Sequence, residues 1–135
     1  MKALLDTNVL VYAVDRSDAR KNAKAVSIVQ SALRSPREYA ISSQSLSEFA
    51  NVAFRKLAMP AESILEFLRI FKGLATVLSD NAVVSRGVEI KALYGLQFYD
   101  ATLVAAAERA GAREIWSEDL NPGQRYGGIL AVNPF

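Results

Sequence analysis

Short apolar runs that alternate with longer stretches of helical periodicity constrain this chain more than any other feature. Ala3 to Leu5, Glu38 to Ile41, Ala75 to Leu78, Glu114 to Ser117 and Ile129 to Val132 each read as a brief, almost continuously apolar strand. Strands without in/out alternation are covered on both faces, which points to parallel pairing. Between them, Arg20 to Leu33 places Ala25, Ile28, Val29, Ala32 and Leu33 at helical spacing. Ser42 to Gln44 offers N-caps for a helix running to about Leu57. Pro60 opens another helix, with Ile64, Leu65, Leu68 and Phe71 on one face and Gly73 as its stop. Asp80 caps a helix that ends at Gly95, and Tyr99 to Ala110 is a helix closed by Gly111. The expected fold is α/β, a three-layer α/β/α sandwich around a central, mainly parallel sheet.

One domain, residues 1–135, accounts for the whole length. A chain that is 51% hydrophobic suits a single full core, and no Pro/Gly/Ser-rich linker, repeat or low-complexity tract divides it. Met1 to Val14 is apolar with Lys2 near its start, yet Asp6 and Asn8 interrupt it and no small-residue cleavage site follows. No stretch approaches the length of a membrane span. The expectation is a cytoplasmic protein, which the absence of Cys fits.

The absence of His excludes more chemistry. Ser-His-Asp and Cys-His nucleophile systems are ruled out, and zinc loses both of its usual soft ligands. What remains for hydrolysis is carboxylate chemistry with a hard cation held through oxygen. A formal charge of +2 with pI ≈ 9.0 permits a nucleic-acid partner without demanding one.

Four acids are placed where such a cation would need them. Asp6, Glu48, Asp100 and Asp119 each follow an apolar run or open the helix beyond one. In a parallel sheet the carboxyl ends of the strands share one edge, so residues placed this way converge. Carboxylates brought together repel by roughly 4 kcal/mol per pair at ~4 Å and an effective dielectric near ~20. A divalent cation, Mg²⁺ or Mn²⁺, gives a fold a reason to gather them.

Each acid also has a plain structural explanation. Asp6, in L-L-D-T-N, suits a turn that caps the next helix. Ser45 and Glu48 match a capping box. Asp100 lies in the first turn of a helix, where the macrodipole favours an acid. Asp119 precedes a Pro/Gly-rich loop, and neighbouring Glu118 competes for its role; strand alternation does not choose between them. The shorter Asp119 makes the more rigid ligand past a strand end. Asp80 also follows an apolar run, but S-D-N-A before a helix is explained as an N-cap.

Taken in order, L-L-D-T-N-V-L-V-Y-A (Leu4 to Ala13), I-S-S-Q-S-L-S-E-F (Ile41 to Phe49), Y-D-A-T-L-V-A-A-A (Tyr99 to Ala107) and I-W-S-E-D-L (Ile115 to Leu120) resemble a PIN domain. No one segment is specific; the ordered set, spanning nearly the whole chain, is. The resemblance is greatest to the VapC-type toxins of toxin–antitoxin pairs. It implies a five-stranded parallel sheet, an acidic quartet at Asp6, Glu48, Asp100 and Asp119, and supporting polar residues at Thr7, Asn8 and Ser117. The family's Ser/Thr-x-Asp element falls on Ser117-Glu118-Asp119, which favours Asp119 as the ligand. Metal-dependent cleavage of RNA, a homodimer and a cognate antitoxin partner are implied as well.

An RNA substrate would have to cross an electronegative pocket, so basic residues are expected at its rim. Arg16, Arg20, Lys21 and Lys24 are candidates for that RNA-binding role, and equally describe an ordinary solvated helix start. A haloacid-dehalogenase-type phosphatase needs a second Asp where Asn8 stands. A receiver domain needs a late Lys, and none lies beyond Lys91. A non-catalytic PIN-like binding module is the remaining alternative. Phe49, Phe54, Ile64, Phe67, Phe71 and Tyr94 exceed what one small core absorbs easily, and a surplus on the surface would mark a dimer or antitoxin groove.

Overall fold

In the computed structural model, which describes residues 1–135, the first apolar run becomes β1 (Ala3–Leu5), and all three of its residues are buried. It pairs in parallel with β2 (Tyr39–Ser42) on one side and β4 (Glu114–Trp116) on the other. β2 pairs in parallel with β3 (Ala75–Val77), and β4 with β6 (Ile129–Val132). The spatial order is β3-β2-β1-β4-β6-β5, where β5 is Arg125–Tyr126. The chain therefore builds outward from β1 in both directions, and the switch point lies between β1 and β4. Crevices for ligands open at such points, beyond the carboxyl ends of the strands.

Six strands stand where five were implied. The addition, β5, is antiparallel to β6 and joined to it through Gly127, whose φ of 61° is left-handed. Two residues carry no periodicity, so pattern alone does not reveal such a strand.

Helices cover both faces. α1 (Thr7–Tyr12), α2 (Ala19–Arg34), α3 (Ser43–Arg55) and α4 (Ala61–Phe71) lie on the face where Ala3, Leu5 and Ile41 meet Val9, Ile28, Phe49 and Phe71. α5 (Asn81–Tyr94) and α6 (Phe98–Ala110) lie on the other, over Leu4, Ala40, Ile115 and Ala131. α6 is buried without a break from Ala101 to Ala107, so its Ala-rich sequence suits a helix enclosed by sheet and α5. Gly87 makes that contact: a Cβ there would stand 2.6 Å from Thr102 Cγ2.

The sequence pattern does not bound α1, but Asp6 caps this helix as L-L-D-T-N suggests, accepting from the Thr7 N–H. The Ser45–Glu48 capping box does not form, since Ser42 caps α3 by accepting from the Gln44 N–H. Asp80 behaves as expected, accepting from the Val83 N–H at the start of α5 beyond the edge strand β3. No helix is long and apolar enough to cross a membrane. Of the surplus apolar residues, Phe49, Ile64 and Phe71 are core, whereas Phe54 and Tyr94 are exposed.

Candidate active site

Asp6 leaves the end of β1 at the switch point and is 3% exposed. Its Oδ1 accepts from the Thr7 N–H at 2.6 Å, and its Oδ2 accepts from the Ser117 hydroxyl at 2.6 Å. Burial pushes its pKa up to about 6; the bonds from Ser117 and Thr7 oppose the shift, and the charges of Asp100 and Asp119 add to it. A carboxylate so placed is costly to ionise unless positive charge arrives.

Asn8, one step into α1, spans the gap between two of the acids. Its Nδ2 donates to Asp6 Oδ2 at 3.4 Å, to Ser117 Oγ at 3.2 Å and to Asp119 Oδ2 at 3.3 Å. Its Oδ1 is buried and has no donor. Ser117, itself buried, accepts from the Asp119 N–H at 3.0 Å and so ties the turn after β4 to Asp6.

Glu48 arrives from the second turn of α3. The Thr7 hydroxyl donates to its Oε2 at 2.6 Å, and Gln44 Nε2 donates to its Oε1 at 2.9 Å. Gln44 is held in turn by the Thr102 hydroxyl, which donates to Gln44 Oε1 at 2.6 Å. Asp100, in the first turn of α6, accepts none of the side-chain bonds that hold the other three acids. Burial raises its pKa, and the charges of Asp119 and Glu48 raise it further.

The four carboxylates line one open cavity of about 290 Å³, together with Thr7 and Asn8. Glu118 reaches the same cavity but is otherwise engaged: the Tyr12 hydroxyl donates to it at 2.6 Å and Lys21 Nζ at 2.8 Å. Burial acts upward on Glu118, and the bonds from Lys21 and Tyr12 outweigh it and hold its pKa low. Asp119, by contrast, has only Asn8 and its own turn as partners.

No three of these acids are grouped so that they could hold a metal ion as they stand. The donor set is oxygen only, with one orphaned buried acceptor in Asn8 Oδ1. An all-oxygen donor set suits a hard cation such as Mg²⁺ or Mn²⁺.

The basic candidates do not gather here. Arg20 donates to the Phe135 carbonyl at 2.6 Å, Lys21 is paired with Glu118, and Lys24 lines a separate cavity. Arg16 is exposed and lines no cavity of the site. The cation that does line the cavity is Lys56, just past α3, and the sequence reading passed over it. Its distance from Glu48 along the chain gave no signal. Gln44 and Thr102 were also missed, because they touch the site through Glu48 rather than by position at a strand end.

The PIN domain family matches residues 3–126 of the chain. No curated protein matches it by sequence. Among solved structures, a toxin–antitoxin complex from Klebsiella pneumoniae superposes with a TM-score of 0.71 at 19% identity, covering 99% of this chain and 98% of that one. VapC20 of Mycobacterium tuberculosis, a toxin that cleaves the sarcin-ricin loop, gives a TM-score of 0.68 at 16% identity, covering 84% of this chain and 87% of its own. DNA-bound VapBC from Salmonella typhimurium gives 0.68 at 19% identity, with 100% and 99% covered. At these identities the structures speak for the fold. The sequence match, running from the first residue of β1 to the last of β5, establishes that the chain belongs to the PIN domain family.

Proposed function

We propose that this protein is a divalent-metal-dependent endoribonuclease, the toxin of a type II toxin–antitoxin pair. The observation that carries the reading is the convergence of Asp6, Glu48, Asp100 and Asp119, from four separate elements, on one cavity at the sheet's switch point. Burying Asp6 among other acids makes little sense for stability alone and good sense for a cation. Asp6, Asp100 and Asp119 would hold Mg²⁺ or Mn²⁺, with Glu48 as the fourth carboxylate and Asn8 Oδ1 as a neutral acceptor. When bound, the ion lowers the pKa of water and neutralises charge on the phosphodiester.

The chain's own residues supply orientation. Ser117 and Thr7 fix both oxygens of Asp6, while Thr7 and Gln44 fix both oxygens of Glu48. Thr7 therefore serves two acids at once, through its N–H and its hydroxyl. Lys56 is the lining residue with a positive charge, suited to a phosphate beside the scissile bond.

Partners follow from the same reading. The Klebsiella and Salmonella structures contain toxin–antitoxin assemblies, and VapC20 acts on RNA, which supports an antitoxin partner and an RNA substrate here. Phe54, Leu65 and Ile70 leave exposed apolar surface on α3 and α4 for such a partner. Val84, Val88 and Leu93 do the same on α5 for a homodimer. Sedimentation of the isolated chain at micromolar concentration tests the dimer, and a clean monomer counts against it.

A second reading, a non-catalytic PIN-like binding module, draws on the lack of three carboxylates already grouped for a metal. Cleavage of a mixed RNA pool separates the two, using Mn²⁺, EDTA and folded Asp100→Ala in parallel. The nuclease reading expects cleavage that needs the metal and is lost in Asp100→Ala. Equal traces from wild type and variant would assign any cleavage to contamination and favour the binding module.

A further inference from the structure

A second cavity, of about 360 Å³, opens beside the middle of α2, against Lys24, Ser27, Ile28 and Ser31, and no acid lines it. Its position follows from the sheet register. Leu5, Trp116 and Val132 are paired neighbours across β1, β4 and β6, so their side chains share one face. α2 covers that face above β1, where Ile28 and Ala32 meet Ala3 and Leu5. Beyond α2 the face continues onto β4 and β6 without a further helix, which leaves Trp116 and Val132 half-buried at the bottom of a cleft.

The floor is aromatic and rigid. Trp116 Nε1 donates to Glu114 Oε2 at 2.6 Å, its ring meets Tyr39 edge-on at 5.7 Å, and Lys2 Nζ lies 5.1 Å from its centroid. The walls carry uncommitted polar groups. Lys24 has no ion pair, Ser27 has no side-chain bond, and Asn133 uses its Oδ1 on the Phe135 N–H while its amide nitrogen stays free. A fixed aromatic floor, an unpaired ammonium and free donors, with the nearest carboxylate, Glu114, engaged by the Trp116 indole N–H, match a planar base attached to a phosphate. They suit an acidic peptide less, because the aromatic floor would have no role.

The cavity shares no lining residue with the carboxylate site, but β4 and α2 contribute to the surroundings of both. Trp116 directly precedes Ser117, which holds Asp6, and Lys24 lies one turn of α2 beyond Lys21, which holds Glu118 at the edge of the first cavity. Arg20 and Lys24, both exposed on α2, give a strand leaving that edge a basic surface to follow.

We propose that this cavity is a nucleobase subsite, in which one base of the single-stranded RNA substrate packs against Trp116 and its phosphate meets Lys24. The proposal rests on the nuclease reading for the identity of the strand. Trp116 is the protein's single tryptophan, so its emission reports directly on this cavity. The test is a titration in EDTA with a five-nucleotide oligoadenylate, alongside an abasic ribose-phosphate oligomer of the same length. Lys24→Glu, an exposed change, is run in parallel, and its KM and kcat for RNA cleavage are measured with Mn²⁺. The oligoadenylate should change Trp116 emission saturably and bind about tenfold more tightly than the abasic oligomer. Lys24→Glu, which removes the phosphate contact that both oligomers make, should weaken binding of each and raise KM with kcat kept. Equal binding of both oligomers, or an unchanged Lys24→Glu, overturns the subsite. RNA cleavage with neither effect removes the subsite and leaves the nuclease standing. Base-dependent, Lys24-dependent binding without metal-dependent cleavage keeps the subsite and removes the nuclease.

Discussion

The Ser117 hydroxyl donates to Asp6 Oδ2 at 2.6 Å, joining residues 111 positions apart at the ends of the two strands that flank the switch point. The same oxygen of Ser117 accepts from the Asp119 N–H and from Asn8 Nδ2. One small buried hydroxyl thus sets the positions of two carboxylates and of the amide between them. It also opposes the upward push that burial exerts on Asp6.

Ser117→Ala should therefore weaken metal binding without unfolding the protein. The bond that favours ionised Asp6 is lost, and the Asp119 turn loses its acceptor. Apparent Mn²⁺ affinity is expected to fall by about 10–100-fold, the range for residues that orient ligands. Calorimetric titration with Mn²⁺ measures it, and circular dichroism checks the fold.

Asp6 also predicts how metal-free stability varies with pH. Its folded pKa, about 6, lies above the ordinary 3.8, so the folded state binds a proton more tightly than the unfolded chain. That contribution is full below pH ~3.8 and is lost as pH rises through ~6, for a total of about 3 kcal/mol. Asp100 shifts in the same direction. In EDTA, Asp6→Asn should flatten this slope and match or exceed wild-type stability at pH ~8. Urea denaturation across pH is the measurement; a variant much weaker than wild type at high pH would make Asp6 structural.

Glu118 and Asp119 should separate cleanly on substitution. Asp119→Asn removes a carboxylate facing Asp6 and Asp100, and is expected to abolish metal-dependent RNA cleavage. Glu118→Gln leaves those acids in place but releases Lys21 and Tyr12. Most of the cleavage rate should survive it, with a small drop in melting temperature. Comparable loss of activity in both variants would count against the assignment of Asp119.

Gly87→Ala reaches the site from the back of α6. The added Cβ would lie 2.6 Å from Thr102 Cγ2 and 3.1 Å from Thr102 Cα, too close without a shift of α5 against α6. Overpacking of this kind costs about 1–3 kcal/mol. Because Thr102 holds Gln44 and Gln44 holds Glu48, kcat should fall as well. Urea unfolding and a cleavage assay in the same buffer show whether both losses occur together.

Much of the architecture was legible because its causes are local. Continuous apolar runs announced β1 to β4 and β6, and Asp80, Gly95 and Gly111 bounded their helices as read. The order of four acids behind strand ends pointed to one edge of the sheet. The misses have local causes too. Six residues were too few to show helical periodicity in α1, and two too few to announce β5.

What the chain's pattern determined by itself is the parallel α/β layering and the set of acids at its carboxyl edge, since apolar periodicity dictates which surfaces must be buried. Tertiary structure alone decided what each polar group does there. Glu48, freed from a capping box by the Ser42 cap, instead accepts from Thr7, 41 residues away. Lys21 is drawn into a pair with Glu118, 97 residues on, and leaves the cavity's positive charge to Lys56. Hydrogen bonds and ion pairs act over a few ångströms, and only the folded chain sets which residues lie within that reach.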